Sequence, residues 1–96
     1  MTASGLDPVI HPVKRLAAMS ILANSHSVEH SYLRERLEIS DSDLSKQMKA
    51  LVEAGYVHTR KTGIGRGGST IFAITNLGRS AYTAYLDQLR RLLDGN

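Results

Sequence analysis

Cysteine and tryptophan are both absent from this 96-residue chain. Without cysteine there is no disulfide, no thiolate metal site and no cysteine redox sensor. Aromatic residues are few. Tyr32, Tyr56, Phe72, Tyr82 and Tyr85 form no row of ring platforms of the kind that stacks single-stranded nucleic acid; they suit a core or a dimer face. No apolar run is long enough to span a membrane, and no signal-peptide pattern is present. A soluble, cytoplasmic protein with no membrane partner is expected. No motif sets a nucleophile beside a base, so an enzyme is not expected. Acid is missing too from one long stretch: none occurs from Ala54 to Leu86, where Arg60, Lys61, Arg66 and Arg79 all lie. The net charge is only +3, so the placement of charge says more than its sum. A chain of this length is one domain with a modest core, and such chains often gain stability by pairing.

The informative part of what is there runs from Ser40 to Thr75. Ser40-Asp41-Ser42-Asp43 is a helix start, with a side-chain acceptor at the N-cap and an acid three residues on. Leu44, Met48, Leu51 and Val52 recur at helical spacing, and Gly55 follows as a stop. Tyr56 to Lys61 is strand-like. Gly63-Ile64-Gly65-Arg66-Gly67-Gly68 reads as a hairpin tip, and Ser69 to Thr75 is β-prone again. This glycine-rich run is not a phosphate-cradling P-loop: it lacks the Gly-Lys-Ser/Thr ending and leads into a strand. A helix followed by a hairpin with a cationic tip is the layout of a winged helix. The expected fold class is α+β and mostly helical. It comprises a winged helix-turn-helix with a two-stranded β wing and a C-terminal dimerisation helix.

The remaining segments fit around that centre. Residues 1–5 are small and polar and are expected to be disordered, which leaves residues 6–96 as the domain. Asp7-Pro8 can open a short helical turn, and Pro12 starts a helix running to about Ala23. Val28-Glu29 reads as a short edge strand. Ser31 to Glu38 is a short helix that pairs with the Ser40–Ala54 helix as a helix-turn-helix. A last helix runs from Asn76 to about Asp94 with Thr75 as its cap. In it Leu77, Ala81, Tyr85, Leu89 and Leu92 share one face. The first long helix and the last are both apolar on more than one stripe, which points to a partner chain as well as a core. Val13, Leu16, Ile21, Tyr82, Tyr85, Leu86, Leu89 and Leu93 are the dimerisation candidates.

With Leu44, Met48 and Leu51 inward, Ser42, Ser45, Lys46 and Lys49 fall on or near the outer face of the central helix. Hydroxyls and ammonium groups suit a duplex groove. Gln47 lies between faces and has the chemistry to read adenine. Arg66 at the tip is placed for backbone or minor-groove contact. Arg60 and Lys61 are adjacent on a strand, so only one of them can face DNA. Ser69, with Thr62 and Thr70, offers further phosphate donors. Double-stranded DNA is therefore the expected partner. His26 and His30 lie four apart across a polar break with no carboxylate set, so no metal and no cofactor is expected. His30 reads as a packed or capping side chain, and His58 as exposed strand packing.

These residues together resemble a known family. Asp43-Leu44-Ser45-Lys46-Gln47-Met48-Lys49-Ala50-Leu51-Val52-Glu53-Ala54-Gly55-Tyr56-Val57 is similar to the recognition-helix signature of the MarR/ArsR-like winged-helix regulators. Ile74-Thr75-Asn76-Leu77-Gly78-Arg79 resembles the L-T-x-x-G entry into their last helix. Leu6 to Leu16 resembles the opening of their small single-domain members. The resemblance implies a bacterial or archaeal homodimeric transcription regulator, usually a repressor, on a pseudo-palindromic operator. Two features depart from it. Ile64-Gly65-Arg66 lacks the acid of the usual Asp-x-Arg wing tip, and the cysteine metal motif of ArsR-type sensors is absent. Two other readings stay open: a winged-helix protein-interaction module, and a version gated by a small effector, of unknown identity, bound between dimer helices.

Overall fold

The computed structural model describes residues 5–63 and 69–95. The chain runs α1 (Val13–Ala23), β1 (Val28–Glu29), α2 (His30–Leu37), α3 (Asp41–Glu53), β2 (Val57–Thr62), β3 (Ser69–Ile74) and α4 (Asn76–Leu93). The fold is a winged helix, mostly helical α+β. The sheet has three antiparallel strands in the order β1-β3-β2: the expected two-stranded wing of β2 and β3, joined by the expected short edge strand Val28–Glu29. Val28 pairs with Phe72 and Glu29 with Ile71, so the two-residue β1 closes the free edge of β3. Among the described residues no helix is long and apolar enough to cross a membrane.

The helix boundaries follow from their caps. Ser40 Oγ accepts from the Asp43 amide at 3.1 Å and starts α3. Gly55 ends it in the left-handed region at φ 81. There Gly55 N donates to Val52 O at 2.9 Å and Tyr56 N to Leu51 O at 3.0 Å, the paired bonds that close a helix through a left-handed residue. The second helix begins one residue earlier than expected, at His30, and stops at Leu37 rather than Glu38. Glu38 itself is left-handed, at φ 55. The reversal lets Ile39 pack against the core while α3 starts three residues later.

Ile10, Met19, Leu22, Leu33, Leu44, Met48 and Leu51 are fully buried, where α1, α2, α3 and the sheet meet. Two core residues come from before α1. Leu6 and Ile10 are buried, and a single turn between them is closed by His11 N donating to Asp7 O at 2.8 Å. Tyr56 Oη donates to Asp7 Oδ2 at 2.6 Å and ties this segment to the end of α3. That bond, with burial second, pushes the Tyr56 hydroxyl up from 10.0 to about 12.

The junction from β3 into α4 is equally tight. Thr75 Oγ1 accepts from Gly78 N at 2.9 Å and donates to Gly55 O at 2.6 Å, while Thr75 N donates to Tyr56 O at 3.0 Å. A side chain at position 78 would place its Cβ 2.0 Å from the Tyr56 carbonyl oxygen, so only glycine fits there. Leu77, which shares a face with Tyr85 and Leu89 by spacing, is 58% exposed and lies over Gly55. The capped first turn points it toward the α3 terminus. Along α4, Tyr85 is buried and Leu89 and Leu92 pack against the core, while Leu86 and Leu93 stay exposed, and the molecule is elongated, 51 × 25 × 21 Å.

Candidate nucleic-acid interface

Helix α3 presents a sharply divided surface. Leu44, Met48 and Leu51 are buried, which pins the helix about its axis. Ser42, Ser45, Lys46 and Lys49 are consequently exposed, on adjoining turns of the opposite face. A single helical face carrying two ammonium groups and two hydroxyls can meet phosphates and base edges together. Gln47 is half-buried, and its Nε2 donates to Asp43 Oδ1 at 2.9 Å. In this conformation its amide is held along the helix rather than presented outward.

The acids at the start of α3 are engaged by cations. Lys14 of α1 forms an ion pair with Asp43. That hydrogen bond, followed by the one from Gln47, holds the Asp43 carboxyl below its ordinary value. Asp41 faces Arg34 Nη1 at 3.5 Å and His30 Nδ1 at 3.8 Å. Lys14 and Arg34 offset the negative charge that would otherwise oppose a phosphate beside α3, while both acids still complement the positive end of the helix dipole. Lys14 and Arg34 had no sequence signal for this role, because each lies on a different helix from its acid, Lys14 on α1 and Arg34 across the turn on α2. His30 packs on Phe72, with ring centroids 6.1 Å apart, as a packed residue would.

The wing strands distribute their side chains by strict alternation. Val57 is buried and fixes the inner face, so Thr59 and Lys61 share that side. Thr59 lines a groove of about 700 Å³ together with Ser31, Ser45, Met48, Lys49, Ser69 and Thr70. Lys61 is thus the member of its pair on the α3 side, and Arg60 points to the outer face. Ser31 and Thr59 join this groove without having been singled out from sequence. The alternation from Val57 was the available signal for Thr59. Thr62 Oγ1 lies 3.1 Å from Ser69 Oγ and 3.2 Å from Ser69 O, closing the last described rung of the hairpin. Arg66 falls outside the described residues.

The dimerisation candidates divide three ways. Val13 and Leu93 are 75% and 74% exposed, and Leu86 is exposed as well. Leu16, Ile21, Tyr82 and Leu89 are partly buried against their own core. Tyr85 is buried within its own chain and shares a 2.8 Å hydrogen bond with His11 Nδ1, so it has little surface to offer a partner. Burial pushes its hydroxyl above the usual tyrosine value.

Residues 14–93 match the family model described as a winged helix DNA-binding domain. The chain belongs to that family. This winged-helix chain is 33% identical over 84 residues to an uncharacterized protein of Methanocaldococcus jannaschii, across 88% of its own length and 91% of the relative's. A transcriptional regulator homologue from Pyrococcus horikoshii OT3 superposes with a TM-score of 0.81 at 25% identity, over 91% of this chain and 86% of that one. A protein assigned to the MarR family of transcriptional regulators, from Enterococcus faecalis V583, shares the fold with a TM-score of 0.75 at 19% identity. That match covers 91% of this chain and 77% of that one. The winged-helix chain is thus a small regulator-type DNA-binding fold and not an enzyme.

Proposed function

We propose that the protein is a cytoplasmic, homodimeric transcriptional regulator that reads a pseudo-palindromic operator in double-stranded DNA and represses by occupying a promoter. The observation that carries this reading is the exposed row Ser42, Ser45, Lys46 and Lys49 on a helix whose opposite face is locked in the core. Each α3 enters a major groove. Lys61, Ser69 and Arg66 follow the flanking backbone, and Arg60 stands on the outer side of the wing. Two such heads read half-sites roughly 34 Å apart. The dimer forms through α1 and α4, with Val13, Leu86 and Leu93 as its apolar contacts. The repressor sense rests on the resemblance to MarR-type regulators.

The test is fluorescence anisotropy on duplex DNA from the gene's own upstream region against a scrambled duplex, at several salt concentrations. Selective binding that weakens steeply with salt supports the reading, because phosphate neutralisation releases counterions. Failure to discriminate against the scrambled duplex, repeated with duplexes selected from a random pool, would remove it.

A further inference from the structure

The outer face of the wing carries a cationic cavity that the groove beside α3 does not use. His58 and Arg60 alternate away from Thr59 and Lys61, so they lie on the side of the sheet turned from α3. Opposite them on β3 stand Ala73 and Ile71. The loop after α1 supplies Ser25, His26 and Ser27, and the first turn of α4 supplies Arg79. These segments enclose about 400 Å³, and among the described residues no carboxylate lines the space. Among the described residues none of His26, His58, Arg60 and Arg79 makes an ion pair. Arg79 Nη1 donates to Ala23 O at 3.0 Å, which holds the guanidinium at the rim and leaves its other N–H groups available. The nearest acid by strand register is Glu29, paired with Ile71 on the far side of β3, two strand spacings from Arg60.

The guanidinium groups of Arg60, on a strand, and Arg79, on a helix, are like charges that repel unless an anion joins them. We propose that this cavity binds a phosphate-type oxyanion, held by Arg60 and Arg79 with His26, His58 and the two serine hydroxyls as further donors. The volume suits a small phosphorylated solute rather than an extended chain. The same chemistry is present in a DNA backbone phosphate, and the test separates the two sources. The proposal stands apart from the DNA reading, since the cavity is on the other face of the sheet from α3.

The probe is inorganic pyrophosphate, titrated into the full chain and followed by backbone amide NMR shifts. Saturable shifts at His26, His58, Arg60 and Arg79 are expected. The double variant His58→Gln, Arg79→Gln should bind about tenfold more weakly or worse. Glutamine at 79 keeps a donor for Ala23 O, and an unchanged melting curve checks the fold. Ser27→Asp, on an exposed position, should weaken binding as well by adding a negative charge at the rim. The control Arg90→Gln, which likewise removes one guanidinium but outside the cavity, should bind as wild type does. Shifts that never saturate, or a loss as large in the control as in the cavity variants, would overturn the proposal. A second titration is made on protein saturated with duplex. Unchanged pyrophosphate affinity identifies a small solute as the occupant; competition identifies the DNA backbone. If no duplex binds at all, the first titration still decides the cavity.

Discussion

Gly78 and Tyr56 set the geometry of the α3–α4 junction by opposite means, one by lacking a side chain and one by using its hydroxyl. Gly78→Ala drives a methyl group into the Tyr56 carbonyl, which is backbone and cannot step aside. The expected loss is about 3 kcal/mol or more. A thermal melt followed by circular dichroism should show a midpoint lower by roughly 10 °C or more. Tyr56 acts through a proton. Its hydroxyl is raised from 10.0 to about 12 by the bond to Asp7, so folding favours the neutral form. The contribution is fully present below pH 10 and is lost as pH rises through 12. Tyr56→Phe should cost about 1 kcal/mol at neutral pH and flatten the fall in stability between pH 10 and 12. Urea melts at pH 7, 10 and 12 check both; an unaltered alkaline fall would place its origin elsewhere.

At the scale of elements, α3 was legible because period and caps agree. Leu44, Met48 and Leu51 mark the buried face, Ser40 opens the helix and Gly55 closes it. The sheet was less legible. β1 has two residues, and its pairing with β3 is a non-local event that no local pattern encodes. The Arg60–Lys61 ambiguity resolves only when buried Val57 fixes the register of faces. Leu6 and Ile10 could not be read as core because six residues are too few to show a period. Of the candidate site, the exposure of the row Ser42, Ser45, Lys46 and Lys49 on α3 was legible. The acids' partners Lys14 and Arg34 were not, because each sits on another helix whose placement against α3 no local pattern encodes. Two predictions belong here. Lys46→Ala with Lys49→Ala should weaken duplex binding and reduce the slope of log affinity against log salt by about 2 per protomer, with the melting midpoint unchanged. An unchanged slope would take α3 out of the interface. Glu38→Gly should stabilise the turn between α2 and α3 by about 1 kcal/mol, because glycine adopts the left-handed conformation without a Cβ penalty. Chemical denaturation measures that gain; a loss would mean the Glu38 side chain contributes more than its backbone costs.

On the scale of the whole molecule, the issue is what covers α4. The sequence showed it to be apolar on two faces, and the fold covers one. Tyr85, Leu89 and Leu92 pack inward, whereas Leu86 and Leu93 remain exposed. Spacing placed Tyr85 on one face with Leu89 and Leu92, but it could not show that the segment before α1 folds back to bring His11 to its hydroxyl. Leu93→Asp is the cleaner probe of pairing, since Leu93 is 74% exposed and its loss does not open the core. Light scattering should show a mass halved relative to wild type, with helical content retained. A variant of unaltered mass would move the interface away from the end of α4.

The hydroxyl of Thr75 joins the carbonyl of Gly55, just past the end of α3, to the amide of Gly78 in the first turn of α4. Those two helix ends therefore turn together as one pivot. α4 is about 27 Å long, from 18 residues at the usual rise, and acts on that pivot as a lever arm. In a dimer built on α4, a small change in the crossing angle of the two levers changes the distance between the two α3 helices. The spacing of operator half-sites would then be dictated by residues far from any base pair.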